Sequence, residues 1–146
     1  MKLIYDAEIT VNSVIDNLSD DGFIEGDPEI TILSSKATVK TEGDKTEIVY
    51  TEESEGNKTL CTLTLDSGRV LLSRQGAVEC DLSFTEGESC SCIYKVPPYA
   101  FDMAVHTLKI RTSTGDGAIE LQLIYLMNIG GQNKKVRMKI SVKSKE

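Results

Sequence analysis

The sequence predicts an all-β domain, a single antiparallel barrel of about 8–10 strands. Three observations carry that prediction. Apolar residues recur at every second position over most of the chain, the period of a half-buried strand. Clusters of Gly, Asp, Asn and Ser interrupt this alternation at short intervals, as hairpins require. No stretch keeps a helical period for more than a turn or so. A sandwich would also bury one face of each strand, but closure into a barrel removes the edges that so many short hairpins leave.

The elements follow in order. Leu3, Tyr5, Ala7, Ile9 and Val11 share one face of a first strand near 2–12, opposite Asp6, Glu8 and Thr10. Residues 13–28 read as an acidic connecting loop. A second strand near 29–40 changes parity, from Ile30 and Ile32 to Ala37 and Val39, so a bulge is expected at Ser34-Ser35. Strands are then expected near 45–53, 58–66, 69–75, 78–84 and 89–96, divided by turn clusters such as DSG at 66–68. The strand near 101–112 changes parity between Val105 and Leu108, which predicts another bulge. Strands near 117–128 and 132–143 finish the chain, with Ile119, Leu121, Leu123, Tyr125 and Met127 sharing a face.

Length and charge bound the function. A chain of 146 residues makes one domain, 1–146. It can bury roughly 70% of its unfolded surface and needs no staple. The net charge of −7 argues against general nucleic-acid binding. Residues 1–56 hold 14 acids and 4 bases, a net of −10, so the remainder carries +3. Lys135, Arg137, Lys139 and Lys143 alternate with Val136, Met138, Ile140 and Val142, which reads as a solvated strand face. The longest uninterrupted apolar run, LIYLM at 123–127, is too short to span a bilayer, and the N-terminus has no signal-peptide core. The expectation is a cytoplasmic protein with reduced thiols and no membrane association.

The motifs that suggest chemistry have plainer readings. Cys61, Cys80, Cys90 and Cys92 all have inward parity and read as small hydrophobes, so no metal and no cofactor is expected. A redox pair between Cys80 and Cys92 is the minority reading. Residues i and i+2 of one strand lie about 6–7 Å apart, a poor start for a thiolate metal site. His106 has outward parity, and no nucleophile motif adjoins it. The segment 17–25 half-imitates a calcium loop but lacks its terminal Glu, which falls one place late at Glu29.

The informative residue is Arg74. In RVLLSRQGAVECDLSF, residues 69–84, it shares the inward face of Val70 and Leu72, and its charge cannot be removed. Asp6, Glu8, Glu79, Asp81, Asp102 and Glu120 all have outward parity, so no inward carboxylate is expected. Tyr5, Tyr50, Tyr94, Thr107 and Tyr125 are the expected polar neighbours.

The string VLLSRQGAVECDLSF, with YKVPPYA at 94–100, Thr107 and Tyr125 in order, resembles the YwiB-like family of bacterial proteins, a domain of unknown function. The resemblance covers most of the chain and is best over 58–142. It implies a calycin-like, lipocalin-like barrel and no established activity.

Three readings of Arg74 follow. It caps one barrel end on backbone carbonyls. Alternatively, Arg74, Tyr5, Tyr50, Tyr94, Thr107 and Tyr125 hold a small amphipathic or anionic ligand inside the barrel. In the third, the barrel is plugged and acts as a protein-interaction scaffold through its outer surface. An enzyme is the least supported class.

Overall fold

The structure, a computed structural model, describes residues 2–145. Ten strands are present: β1 Lys2–Leu18, β2 Ile24–Glu42, β3 Lys45–Ser54, β4 Asn57–Asp66 and β5 Arg69–Gly76, then β6 Cys80–Phe84, β7 Ser89–Val96, β8 Tyr99–Gly115, β9 Ala118–Ile129 and β10 Gln132–Ser144. All pairings are antiparallel, and the order is β6-β5-β4-β3-β2-β1-β10-β9-β8-β7. The sheet is thus an up-and-down meander in which β1 joins the two ends of the chain by pairing with both β2 and β10.

The ring is nearly closed at the β6–β7 seam. Glu79 and Lys95 exchange both backbone hydrogen bonds at 2.9 Å. The loop after β6 ties to β8: Gly87 N–H donates to Thr107 O, and Thr107 N–H to Glu88 O. Between these points the Cys90 thiol donates to Ser83 O at 3.1 Å.

The core follows the period-2 pattern. Ala7, Ile9, Val39, Ile48, Leu63, Val70, Phe84, Val105, Leu121, Leu123, Val136, Ile140 and Val142 are buried inside the ring. Phe84 packs against Tyr125, with ring centroids 4.8 Å apart and planes tilted by 46°. The bulge in β8 is present: its register against β9 shifts between Thr107 and Lys109. The shift puts the Ile110 N–H toward the Glu86 carboxylate, which accepts it at 2.7 Å.

Two expectations about the N-terminal quarter are corrected. The acidic segment 13–28 is not a loop. β1 runs on to Leu18 and β2 starts at Ile24, leaving only 19–23 as the turn, where Phe23 N–H bonds Ser19 Oγ. Backbone pairing extends this hairpin past the core, so its side chains need not alternate and the pattern is lost. There is also no bulge at Ser34-Ser35, whose partners Thr10 and Ile9 are in unbroken register. Ile30 and Ile32 face outward instead, 65% and 69% exposed. The irregularity lies opposite Ile15–Asn17, where Gly26, Asp27 and Pro28 of β2 stand against Asp16 alone, two residues in excess.

Gly76 ends β5 with φ +136°, a backbone that side-chain-bearing residues rarely adopt. A Cβ there would stand 2.4 Å from Lys58 O, which accepts from Ala77 N–H. Gly76→Ala is expected to lower stability by about 1–3 kcal/mol from backbone strain alone. Urea unfolding of the variant checks this, and an unchanged midpoint would refute it.

Candidate functional site

Arg74 sits within a row of inward side chains. Following the register across the sheet gives Ala7, Ala37, Tyr50, Cys61, Arg74 and Cys80. Its immediate neighbours in that row are the two thiols of Cys61 and Cys80. Small residues on either side leave room for the guanidinium in a ring otherwise filled by Leu, Ile and Val.

The expectation of no inward carboxylate is corrected by Glu52. It follows Ile48 and Tyr50 at the same parity on β3, a signal the sequence carried, and reaches across Cys61 to Arg74. Arg74 Nη2 donates to Glu52 Oε1 at 3.5 Å, and the two side chains are 20% and 27% exposed. This is a long, single contact between partly screened groups. Arg74 Nε is buried and has no hydrogen-bond partner. Among the described residues, the side-chain bond that Arg74 makes is to the Glu52 carboxylate and not to a backbone carbonyl.

Beside this pair lies a cavity of about 550 Å³. Arg74, Glu52, Tyr94, Tyr125, Ser13 and Lys134 supply its polar wall. Val11, Leu82, Met103, Met127, Val136 and Met138 supply much of the apolar wall. Its rim is formed by Thr31, Ile32 and Leu33 on β2 and by Glu53 on β3. β2 pairs with β3 only over Ala37–Glu42, so the cavity mouth lies where the two strands part.

The other expected residues are placed differently. Tyr5 is at the far end of the barrel, in a separate cavity of about 460 Å³ with Arg69, Asp66 and Asp116. Parity reports the face of a strand, not the height along the barrel, and Tyr5 is two residues beyond Ala7 toward the opposite end. Tyr50 is buried next to Cys61 and does not line the Arg74 cavity. Thr107 is fully buried opposite Tyr125 in the β8–β9 register, and its Oγ1 has no partner. It too lies outside the cavity wall. His106 is on the outer face, with Nδ1 2.8 Å from Ser89 Oγ, away from this cavity.

The electrostatics keep the phenols and thiols neutral. Burial raises the pKa of Tyr50 and Tyr94, and takes Tyr125 to about 12, although Arg74 opposes the shift in each. Burial likewise raises Cys80, and lifts Cys61 and Cys92 to about 11. Burial acts to lower the Arg74 pKa, but Glu52 and then the surrounding thiols and Tyr50 hold it above its ordinary value. The cavity wall carries the bases Arg74 and Lys134, the acids Glu52 and Glu53, and the neutral hydroxyls of Tyr94 and Tyr125. All four cysteines are free, and among the described residues no group of three or more His, Cys, Asp or Glu is placed to hold a metal.

Two predictions follow from this geometry. Removing Glu52 strands a partly buried guanidinium, so Glu52→Gln is expected to destabilise the protein by about 1–3 kcal/mol. Arg74→Met combined with Glu52→Gln is expected to recover part of that loss in denaturant unfolding. Additive losses would show that the pair does not interact. The thiols set a pH limit. Cys61 and Cys92 ionise near 9.0 when unfolded and near 11 when folded, so the folded state holds protons that the unfolded state has lost. Stability is then full below about pH 9 and falls as pH rises toward 11. Melting temperatures across that window should drop less steeply in Cys61→Ala, and an equal slope would remove Cys61 as a cause.

Comparison with known proteins agrees with the fold. The crystal structure of the ywiB protein from Bacillus subtilis matches with a TM-score of 0.80 and 22% sequence identity, over 98% of this chain and 94% of that one. No curated protein matches the sequence. A family model, Domain of unknown function (DUF1934), matches residues 15–141. The match runs from the end of β1 through the Arg74 strand to nearly the end of β10, and with it the chain belongs to the DUF1934 family, a nearly closed, calycin-like barrel of ten strands.

Proposed function

We propose that the barrel binds a small amphipathic molecule with an acidic head in the cavity beside Arg74. The observation that carries this reading is the partly exposed Arg74 side chain on the wall of an open cavity of about 550 Å³, held by one long contact to Glu52. That volume falls within the roughly 300–1,000 Å³ of small-molecule pockets. A ligand oxygen on the accessible part of the guanidinium would gain a charge-assisted bond, the stronger kind. Tyr94 and Tyr125, kept protonated by burial, stand on the same wall and can donate to the head. Met103, Met127 and Met138 offer an adaptable apolar surface for the body of the ligand. Glu52 disfavours a multiply charged anion, so a singly charged carboxylate is the best fit. The four free thiols suit a reducing, cytoplasmic setting.

The test compares dodecanoate with uncharged dodecanol by isothermal titration. One dodecanoate is expected to bind per chain, more tightly than the alcohol. The Arg74→Met, Glu52→Gln double variant avoids a stranded charge and is expected to bind the acid about tenfold more weakly, the alcohol being unaffected. Equal affinity for acid and alcohol in the wild-type chain, or no saturable binding, overturns the reading.

A further inference from the structure

The mouth of the cavity has a second property that depends on backbone rather than on Arg74. β1 pairs with β2 along almost its whole length, from Lys2↔Glu42 to Leu18↔Ile24. β3 leaves β2 after Ala37↔Tyr50. Among the described residues no strand pairs with the other edge of β2 from Ile24 to Lys36. β3 continues through Thr51 to Ser54, paired to β4 on one side only. Two open strand edges therefore border the same opening, each presenting backbone N–H and C=O groups with no strand beside them.

Proteins usually blunt such edges with proline, bulges or charge. Here Gly26, Asp27 and Pro28 disrupt only the outer end of β2. From Glu29 to Lys36 the strand is regular, contains no proline and keeps unbroken register with β1. Ile30 and Ile32 stand on its outer face, largely exposed. Acids predominate around it: Glu25, Asp27 and Glu29 on β2, with Glu52 and Glu53 on β3 across the opening, against Arg74 and Lys134 on the cavity wall. Lys36 is the single base on this stretch of β2. A second copy docked edge to edge would bring two acidic rims together, which is unfavourable. The complementary occupant has an extended backbone with basic side chains facing the acids and apolar ones facing the isoleucines.

We infer that the free edge of β2 between Glu29 and Lys36 takes up an extended peptide of alternating basic and apolar residues as an added antiparallel strand. Main-chain bonds to β2 give the affinity, and the two sets of side chains give the selection. One set lies over Ile30 and Ile32 on the outer face, the face that also carries Glu53, and the other points inward toward Glu29 and Glu52 at the cavity mouth. The inference stands apart from the small-molecule reading, because it requires neither Arg74 nor an empty cavity.

The experiment is fluorescence anisotropy with a labelled peptide of alternating Lys and Val and the full-length protein. Three controls accompany it: the Glu-Val counterpart, the Lys-Val peptide N-methylated at alternate residues in each of the two phases, and protein carrying Glu29→Lys with Glu53→Lys. Saturable binding of the Lys-Val peptide is expected, weakened by salt. One phase of N-methylation is expected to weaken it by about tenfold or more, the other much less, since only one edge of an added strand faces β2. The charge-reversed protein is expected to prefer the Glu-Val peptide. Amide chemical-shift changes should centre on residues 29–36. No saturable binding, indifference to N-methylation in both phases, or unchanged preference after charge reversal each overturns the inference. Sedimentation showing a dimer that protects the amides of 29–36 would also overturn it, by giving that edge to a second copy.

Discussion

Strand length governs this barrel. β1 and β2 are 17 and 19 residues long, whereas β3 has 10. Hydrogen-bonded ladders extend only where both partners exist, so the β2–β3 ladder stops while β1–β2 and β1–β10 continue. The ring is therefore closed around one end and split at the other. The split exposes the cavity, sets Glu52 and Glu53 on its rim, and leaves an unpaired edge on β2. A β3 extended to match β2 would close the mouth and remove both features.

Arg74 is tolerated inside because its row in the sheet is made of small or polar side chains. Cys61 and Cys80 flank it, and Ala7 and Ala37 lie further along the same row. A guanidinium has no neutral form to retreat to, so its environment must supply counter-charge and donors' partners. Glu52 supplies the counter-charge at one nitrogen, and Nε is left without a partner. Gly76, two residues on, lets the chain pass within reach of the Lys58 carbonyl and turn from β5 toward the seam. The arginine and the glycine of that short motif thus serve different ends, one electrostatic and one steric.

The seam between β6 and β7 shows how a nearly closed ring is held without a full ladder. Backbone bonds clamp one end at Glu79 and Lys95, and the loop at 87–88 clamps the other through Thr107. The Cys90 thiol bridges between them to Ser83 O. Cysteines that the alternation marks as core fillers therefore include one that also joins strands, a role visible only once β6 and β7 face each other.

Much of the fold was legible because a strand with one buried face writes its geometry as a period of two. All ten strands, eight of them at close to their full length, the bulge at Leu108 and the inward thiols could be read in this way. The pattern failed in the β1–β2 hairpin, where the β2 side is exposed from Ile24 to Ile32 and the acids of 13–28 carry no alternation, so a paired strand looked like a loop. Ile30 and Ile32 misled for the related reason that apolar side chains there have no core behind them. At the site, parity placed Arg74, Tyr94 and Tyr125 inside, and it could have placed Glu52 from its step of two beyond Tyr50. It could not say that Tyr5 is at the opposite end or that Thr107 lies behind Tyr125. The sequence by itself determined which residues of a regular strand share a face, because that depends only on local backbone geometry. The tertiary structure alone decided height along the barrel, the split between β2 and β3 and the partner of Arg74, because those depend on register between strands distant in the chain.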